Sequence, residues 1–217
     1  LTELSVNEAA TGLELGSSTF VSPKTTDDFG GASFQGENYL IYGGEYGYLY
    51  NPKQLRFLLK DSIGIDNNGD LQELPPTLQS PIIGWAYDGH PIYGPYGYED
   101  PENSAPFNAY KRIRSSYRVK TSRDALLSGL SDPLGTYIED YEYVEGLGDL
   151  DRYNGRFCVT PEYPNGIYCY FTTITGTTGN PAYPYFVGSE FYGEADAVNW
   201  NGNCLLYTSP SPRDVIQ

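Results

Sequence analysis

The chain has 217 residues, 39% hydrophobic and 19% charged, a balance that suits a folded domain and excludes a disordered one. Its formal net charge of −15 argues against nucleic acid and anionic membrane surfaces as partners, since both repel an acidic protein. The 22 Tyr, 25 Gly and 16 Pro favour strands and turns over helices, and no apolar run approaches the roughly 20 residues that cross a bilayer.

Residues 1–38 read as the end of an upstream β-rich region, with short segments such as STFVS. No Met and no secretory leader are visible, so the chain is expected to be a piece of a longer frame. Residues 39–50, YLIYGGEYGYLY, predict two aromatic strands turning at Gly43-Gly44. The period then changes. Asn51 as cap, Pro52 at the first helical position, and Leu55, Leu58 and Leu59 on one face predict a short helix near 52–60.

IDNNGDLQELPP at 65–76 reads as a loop. Asp66, Asn68 and Asp70 resemble the front half of a calcium loop, but Leu71 and Thr77 stand where Gly and a bidentate acid are needed. A polar loop is the better reading. A strand at 82–87 then enters GWAYDGHPIYGPYGY, residues 84–98, which holds the only histidine, His90. Asp88 with His90 could orient a general base or bind a metal. A metal site needs more convergent groups, no second His exists, and DGHP is a good turn, so a structural turn is expected.

KRIRSSYRVK at 111–120 is the one basic cluster, expected to face solvent or the acidic remainder of the chain. SRDALLSGL at 122–130 suits one or two helical turns, and TYIEDYEYVE at 136–145 an acidic-faced strand. Within GDLDRYNGRF, residues 148–157, Asp149 and Asp151 read as ion-pair partners of Arg152 and Arg156. FCVTPEYPNGIYCYFTTI at 157–174 is the clearest hairpin, joined across PEYPNG. With Thr160 facing Ile167, its register sets Cys158 opposite Cys169. Such a pair is a disulfide in an oxidising compartment or two buried thiols, and the missing leader favours the thiols. PAYPYFVG at 181–188 predicts a last strand, and 193–203 the start of a linker or next segment. CLLYTSPSPRD at 204–214 matches a translated transposon adapter from sequencing libraries. Residues 204–217 are therefore expected to be non-native, and an environmental origin follows. No nucleophile elbow, CxxC or phosphate-binding Gly loop is present.

Three ordered motifs, GWAYDGHPIYGPYGY, LDRYNGRFCVTPEYPNGIYCYF and PAYPYFVG, resemble the YHYH-domain proteins. The resemblance is closer still to the YHYH-type modules of large virion structural proteins of tailed phages that infect marine bacteria, notably cyanobacteria. It runs from about Tyr39 to Tyr192 as one β domain. The Tyr-His-Tyr-His string of the family name falls on Tyr46-Gly47-Tyr48-Leu49 and on Tyr168-Cys169-Tyr170-Phe171, so the tyrosines stay and the histidines are replaced. Any role of those histidines elsewhere does not carry over.

The resemblance implies a non-enzymatic structural module of a virion (tail, baseplate or fibre), assembled in the host cytoplasm. Its partners would be other virion proteins, copies of itself included. A different reading is a glycan-binding adhesin that uses Trp85, Trp200, Tyr87 and Tyr93 to hold host-surface sugars. The weakest is a metal-dependent enzyme built on Asp88 and His90. No residue is assigned a catalytic, cofactor-binding or metal-binding role. The expected fold is all-β, a sandwich or irregular barrel, with one or two short helices and long Gly/Pro/Tyr-rich loops.

Overall fold

The computed structural model describes residues 31–33, 46–48, 50–102, 109–123 and 133–195. The architecture is all-β, with short strands in small sheets, one short helix, and no closed barrel among the described residues. In chain order come β1 (Gly31–Ser33), β2 (Tyr46–Tyr48), α1 (Lys53–Leu58), β3 (Ile63–Ile65), β4 (Leu71–Glu73), β5 (Ile82–Trp85) and β6 (Pro91–Tyr93). There follow β7 (Tyr96–Tyr98), β8 (Tyr110–Arg112), β9 (Tyr117–Val119), a 3-10 turn (Ile138–Asp140) and β10 (Tyr141–Tyr143). The last four strands are β11 (Gly155–Cys158), β12 (Ile167–Phe171), β13 (Ile174–Thr175) and β14 (Asn180–Pro181).

One four-stranded sheet, in the order β11-β12-β6-β5, organises the rest. Its outer pairings are antiparallel, while β12 and β6 run parallel with Tyr170 beside Ile92 and Phe171 beside Tyr93. Side chains alternate across a strand, so YCYF sends Tyr168 and Tyr170 to one face and Cys169 and Phe171 to the other. On the second face Tyr93, Ile113, Leu150, Cys158, Cys169 and Phe171 form a core, with Ile82 and Ile167 against it. On the first face Ile92, Tyr168, Tyr170, Phe186 and Val187 form another, joined by Tyr48, Tyr153 and Phe191. Both faces are covered. That explains why β6 is buried at every position and shows no alternation in its burial. Among the described residues, five two-stranded ribbons accompany the sheet: β1 with β2, β3 with β4, β7 with β8, β9 with β10, and β13 with β14.

Several expectations change in the folded chain. β2 pairs with β1, and the predicted turn at Gly43-Gly44 lies outside the described residues. The helix forms, but Pro52 occupies its N-cap and no side chain caps it. Leu58 and Leu59 face outward, and the residue that α1 buries is Arg56. Asn51 is drawn away from capping by that arginine: its Oδ1 accepts from Arg56 Nη1 at 2.7 Å, and its Nδ2 donates to Glu73 Oε1 at 2.9 Å.

The expected 65–76 loop is in part a hairpin: residues 66–70 are its turn, and Leu71–Glu73 form the strand β4 paired with β3. In that turn Asp66 Oδ1 accepts from the amides of Asn68 and Asp70, an Asx-type turn. Residues 124–132 are outside the described set, and with them most of the predicted 122–130 helical turns. The 136–145 strand shrinks to β10, because Asp140 turns inward and closes a 3-10 turn ahead of it. The predicted last strand is interrupted at Tyr185, whose φ is 74. Only β14 and an isolated Tyr185–Val187 bridge remain of it. None of the helices in the described residues is long and apolar enough to cross a membrane.

Candidate functional site

The residues with the strongest claim to chemistry gather on the first face of the central sheet. β5 and β6 are joined by Asp88-Gly89-His90 as a tight turn: Ala86 N donates to His90 O, and Gly89 N to Ala86 O. Gly89 has φ +81, a conformation that a side chain would strain. Asp88 Oδ1 accepts from His90 N at 3.3 Å, while Oδ2 accepts from the Tyr170 hydroxyl at 2.6 Å and Gly193 N at 2.9 Å. The Tyr170 oxygen in turn accepts from Tyr192 N at 2.7 Å.

His90 Nδ1 lies 3.0 Å from the carbonyl oxygen of Tyr168. A carbonyl only accepts, so Nδ1 carries the hydrogen in this contact. The imidazole sits edge-on to Tyr168, Tyr170 and Tyr192, with centroids 5.3–6.3 Å away. Tyr168 and Tyr192 stack at 3.6 Å, nearly parallel. Asp88 and His90 are thus brought into one neighbourhood, but each is engaged with a different part of the scaffold.

Asp151 builds the neighbouring node. Its Oδ1 accepts from the amides of Tyr153 and Gly155, and both oxygens accept from the Tyr168 hydroxyl at 2.9–3.0 Å. Gly155 is needed here, because a Cβ would enter the Tyr168 ring. Burial and the nearby Asp151 carboxylate raise the Tyr168 pKa; burial and the hydrogen bond to Asp88 do the same for Tyr170. Both phenols stay protonated and act as donors.

Sequence reasoning missed Asn154 in this region. It is fully buried at φ 64, a left-handed conformation that Asn tolerates better than most residues. Its Nδ2 donates to Phe171 O at 3.0 Å and Phe186 O at 2.9 Å, tying the start of the second motif to its end and to the third motif. The available signal was Asn before Gly in RYNGRF, a turn dipeptide.

The ion pairs expected for Asp149 and Asp151 are rearranged. Asp149 pairs with Lys111 at 2.7 Å and Arg114 at 3.4 Å, so the basic cluster does meet acidic residues, as Arg118 meets Glu142. Arg156 instead donates to Tyr98 O and lies over the Phe171 ring. Arg152 is joined to its surroundings through its carbonyl, which accepts from the Tyr117 hydroxyl.

Arg56 is the other buried charge that the sequence reading overlooked. It reaches Asp61 Oδ2 at 2.6 Å and Glu73 at 2.6 and 3.0 Å, with all three side chains at most 1% exposed. Burial pushes the Glu73 pKa up, but bonds from Arg56, Asn51 and Tyr96 outweigh it and hold the carboxyl below its ordinary range. Of the surface aromatics proposed for sugars, Trp85 is exposed and Tyr87 half-buried. Tyr93 is fully buried and hydrogen-bonded to Thr160 and Glu162, and Trp200 lies outside the described residues.

Cys158 and Cys169 are unbonded thiols, both buried, with their sulfurs 3.3 Å apart. They are not directly opposite. Cys158 faces Ile167, and Cys169 faces Arg156. The register slips by two from the expected one because the turn is longer: Val159 leaves the sheet to bond Pro101 O, and Thr160 closes a local turn with Tyr163. At the second Tyr-X-Tyr-X place, Cys169 and Phe171 are core residues of the face away from His90. Among the described residues, no group of three or more His, Cys, Asp and Glu is placed to hold a metal.

Residues 31–183 match a family model described as YHYH protein. The match begins at β1, the strand that pairs with β2, and so reaches upstream of Tyr39. No curated protein and no solved structure matches the chain.

Proposed function

The chain belongs to the YHYH family, and on that premise we propose that it is a non-enzymatic structural module of a tailed-phage virion protein. It works in a tail, baseplate or fibre by packing against other subunits. The observation that carries this reading is the internal closure of the motif residues. Asp88, His90, Asp151, Tyr168 and Tyr170 bond to one another and to backbone, which makes the motifs the fastening of a scaffold.

The surface supports the same reading. Trp85 (56% exposed), Phe157 (63%) and Tyr192 (52%) offer large apolar area of the kind subunit contacts use. The net charge of −15 opposes sticking to DNA during assembly in the host cytoplasm. The test is mass spectrometry of gradient-purified particles from a host carrying this gene. Peptides of the chain at a fixed ratio to known tail proteins are expected; peptides confined to the lysate and missing from particles would overturn the proposal.

A second reading, attachment to host glycans, is favoured by the exposure of Trp85 next to the half-buried Tyr87. A glycan array probed with the full chain separates the two. Binding lost in Trp85→Ala supports the adhesin, and a blank array removes it.

A further inference from the structure

We propose that Cys158 and Cys169 are a site of oxidative cross-linking, closed by a peroxide into a disulfide that fastens β11 to β12. This rests on the two sulfurs and their surroundings and goes beyond the structural role proposed above. The sulfurs already sit 3.3 Å apart on the core face of the hairpin, against about 2.05 Å in a disulfide. Cys158 ends β11. Beyond it the chain leaves the sheet at once, since Val159 N bonds Pro101 O. Drawing Cys158 towards β12 therefore disturbs only the last pair of the ladder, Cys158 with Ile167.

The two thiols are unequal. A hydrogen bond from Cys169, with the Arg156 guanidinium in support, favours the Cys158 thiolate over the opposing effect of burial. The same bond, with burial, pushes Cys169 up. Cys158, which ends β11 beside the 159–166 turn, is placed to be the attacking thiolate, and Cys169, in the middle of β12, the resolving thiol. The Cys158 thiolate attacks one peroxide oxygen and breaks the O–O bond. That leaves a sulfenic acid and a hydroxide, which takes up a proton to become water. The Cys169 sulfur then displaces the sulfenic oxygen, which departs with the Cys169 proton as a second water. In total two thiols lose two electrons and two protons, and one peroxide becomes two waters. The turn beside the pair, exposed at Pro161, Glu162, Pro164 and Asn165, provides the local opening through which a small oxidant enters.

Glu162 lies between the two cysteines, so digestion after glutamate reads the cross-link directly. The folded full chain is treated with hydrogen peroxide, its remaining thiols are alkylated, and it is then denatured and cleaved. The expected product joins Gly146–Glu162 to Tyr163–Glu190, two hydrogens lighter than their sum and separated by a reductant. Separate fragments with both cysteines alkylated, Cys158 stopped at sulfinic acid, or either fragment linked to the one carrying Cys204 would overturn the proposal. In Cys169→Ser, a 1,3-diketone probe should label Cys158 as sulfenic acid; no label would overturn its role as the attacking thiolate. The map of the unmodified sequence decides the cross-link even if that variant does not fold.

Discussion

The Tyr170 hydroxyl donates to Asp88 Oδ2 at 2.6 Å, joining β12 to the β5–β6 turn across 82 residues of chain. The same oxygen accepts from Tyr192 N, and the same carboxylate oxygen accepts from Gly193 N. One atom pair therefore pins three segments. Tyr170→Phe keeps the ring and its packing but leaves Asp88 and Tyr192 N each short of a partner. It is expected to cost about 1–3 kcal/mol. Urea unfolding checks this as a lower midpoint with an unchanged slope.

Asn154 combines a left-handed backbone with two buried hydrogen bonds. Asn154→Ala loses the bonds and strains the backbone; Asn154→Gly loses only the bonds. The alanine variant should be the less stable of the two by about 1–2 kcal/mol, the cost of a left-handed Cβ. Paired unfolding curves measure that difference directly.

Arg56 neutralises two buried carboxylates at once. Arg56→Met removes the cation and strands Asp61 and Glu73, with an expected loss of about 3–5 kcal/mol. Arg56→Lys keeps a charge but gives up the fork that reaches both partners, so it should fall between the two. Thermal midpoints of the three proteins should rank in that order.

Stability should fall on the acid side. Burial pushes up the carboxyl pKa values of Glu73, Asp140 and Asp149, but stronger opposing contacts leave all three lowered. For Glu73 these come from Arg56, for Asp140 from Arg123 and backbone amides, and for Asp149 from Lys111 and Arg114. A carboxyl whose folded pKa lies below its unfolded one stabilises the fold above the unfolded value. That contribution is lost as pH drops through the folded value. The urea midpoint is therefore expected to hold near neutrality and fall below about pH 5. Asp140→Asn should start lower and lose less on acidification, which a pH series of unfolding curves reads out.

His90→Ala removes the bond to the Tyr168 carbonyl and three edge-on ring contacts. A loss of about 1–2 kcal/mol is expected, with the metal content of the purified protein unchanged. Calorimetry and elemental analysis of both proteins check the two halves. A metal lost with the histidine would favour the metal-enzyme reading instead.

The parts of the fold that were legible in the sequence are those set by local chemistry. DGHP reads as a turn because Asp and Gly make one wherever they stand, and YCYF reads as a strand because its residues favour pleated surfaces. Partners were not legible. Nothing near Asp149 in sequence points to Lys111, and YIEDYEY gives no sign that Asp140 turns inward to meet Arg123. Helical spacing set Leu55, Leu58 and Leu59 on one face, yet Leu58 and Leu59 are exposed, the core beside that helix is ionic, and Arg56 is the residue buried there. The candidate site behaves likewise: its residues were visible one at a time, but the bonds among Asp88, Tyr170 and Gly193 exist only in three dimensions.

The parallel pairing of β6 with β12 has a consequence for synthesis. When β5 and β6 have left the ribosome, Ile92 and Tyr93 have no neighbour on one side until Ile167–Phe171 emerges. The hairpin must wait as a half-covered apolar edge, open to pairing with the same edge of another nascent chain. A fold this dependent on distant partners closes late and slowly. Any product that stops short of β12 would therefore be a seed for aggregation and not a smaller working module.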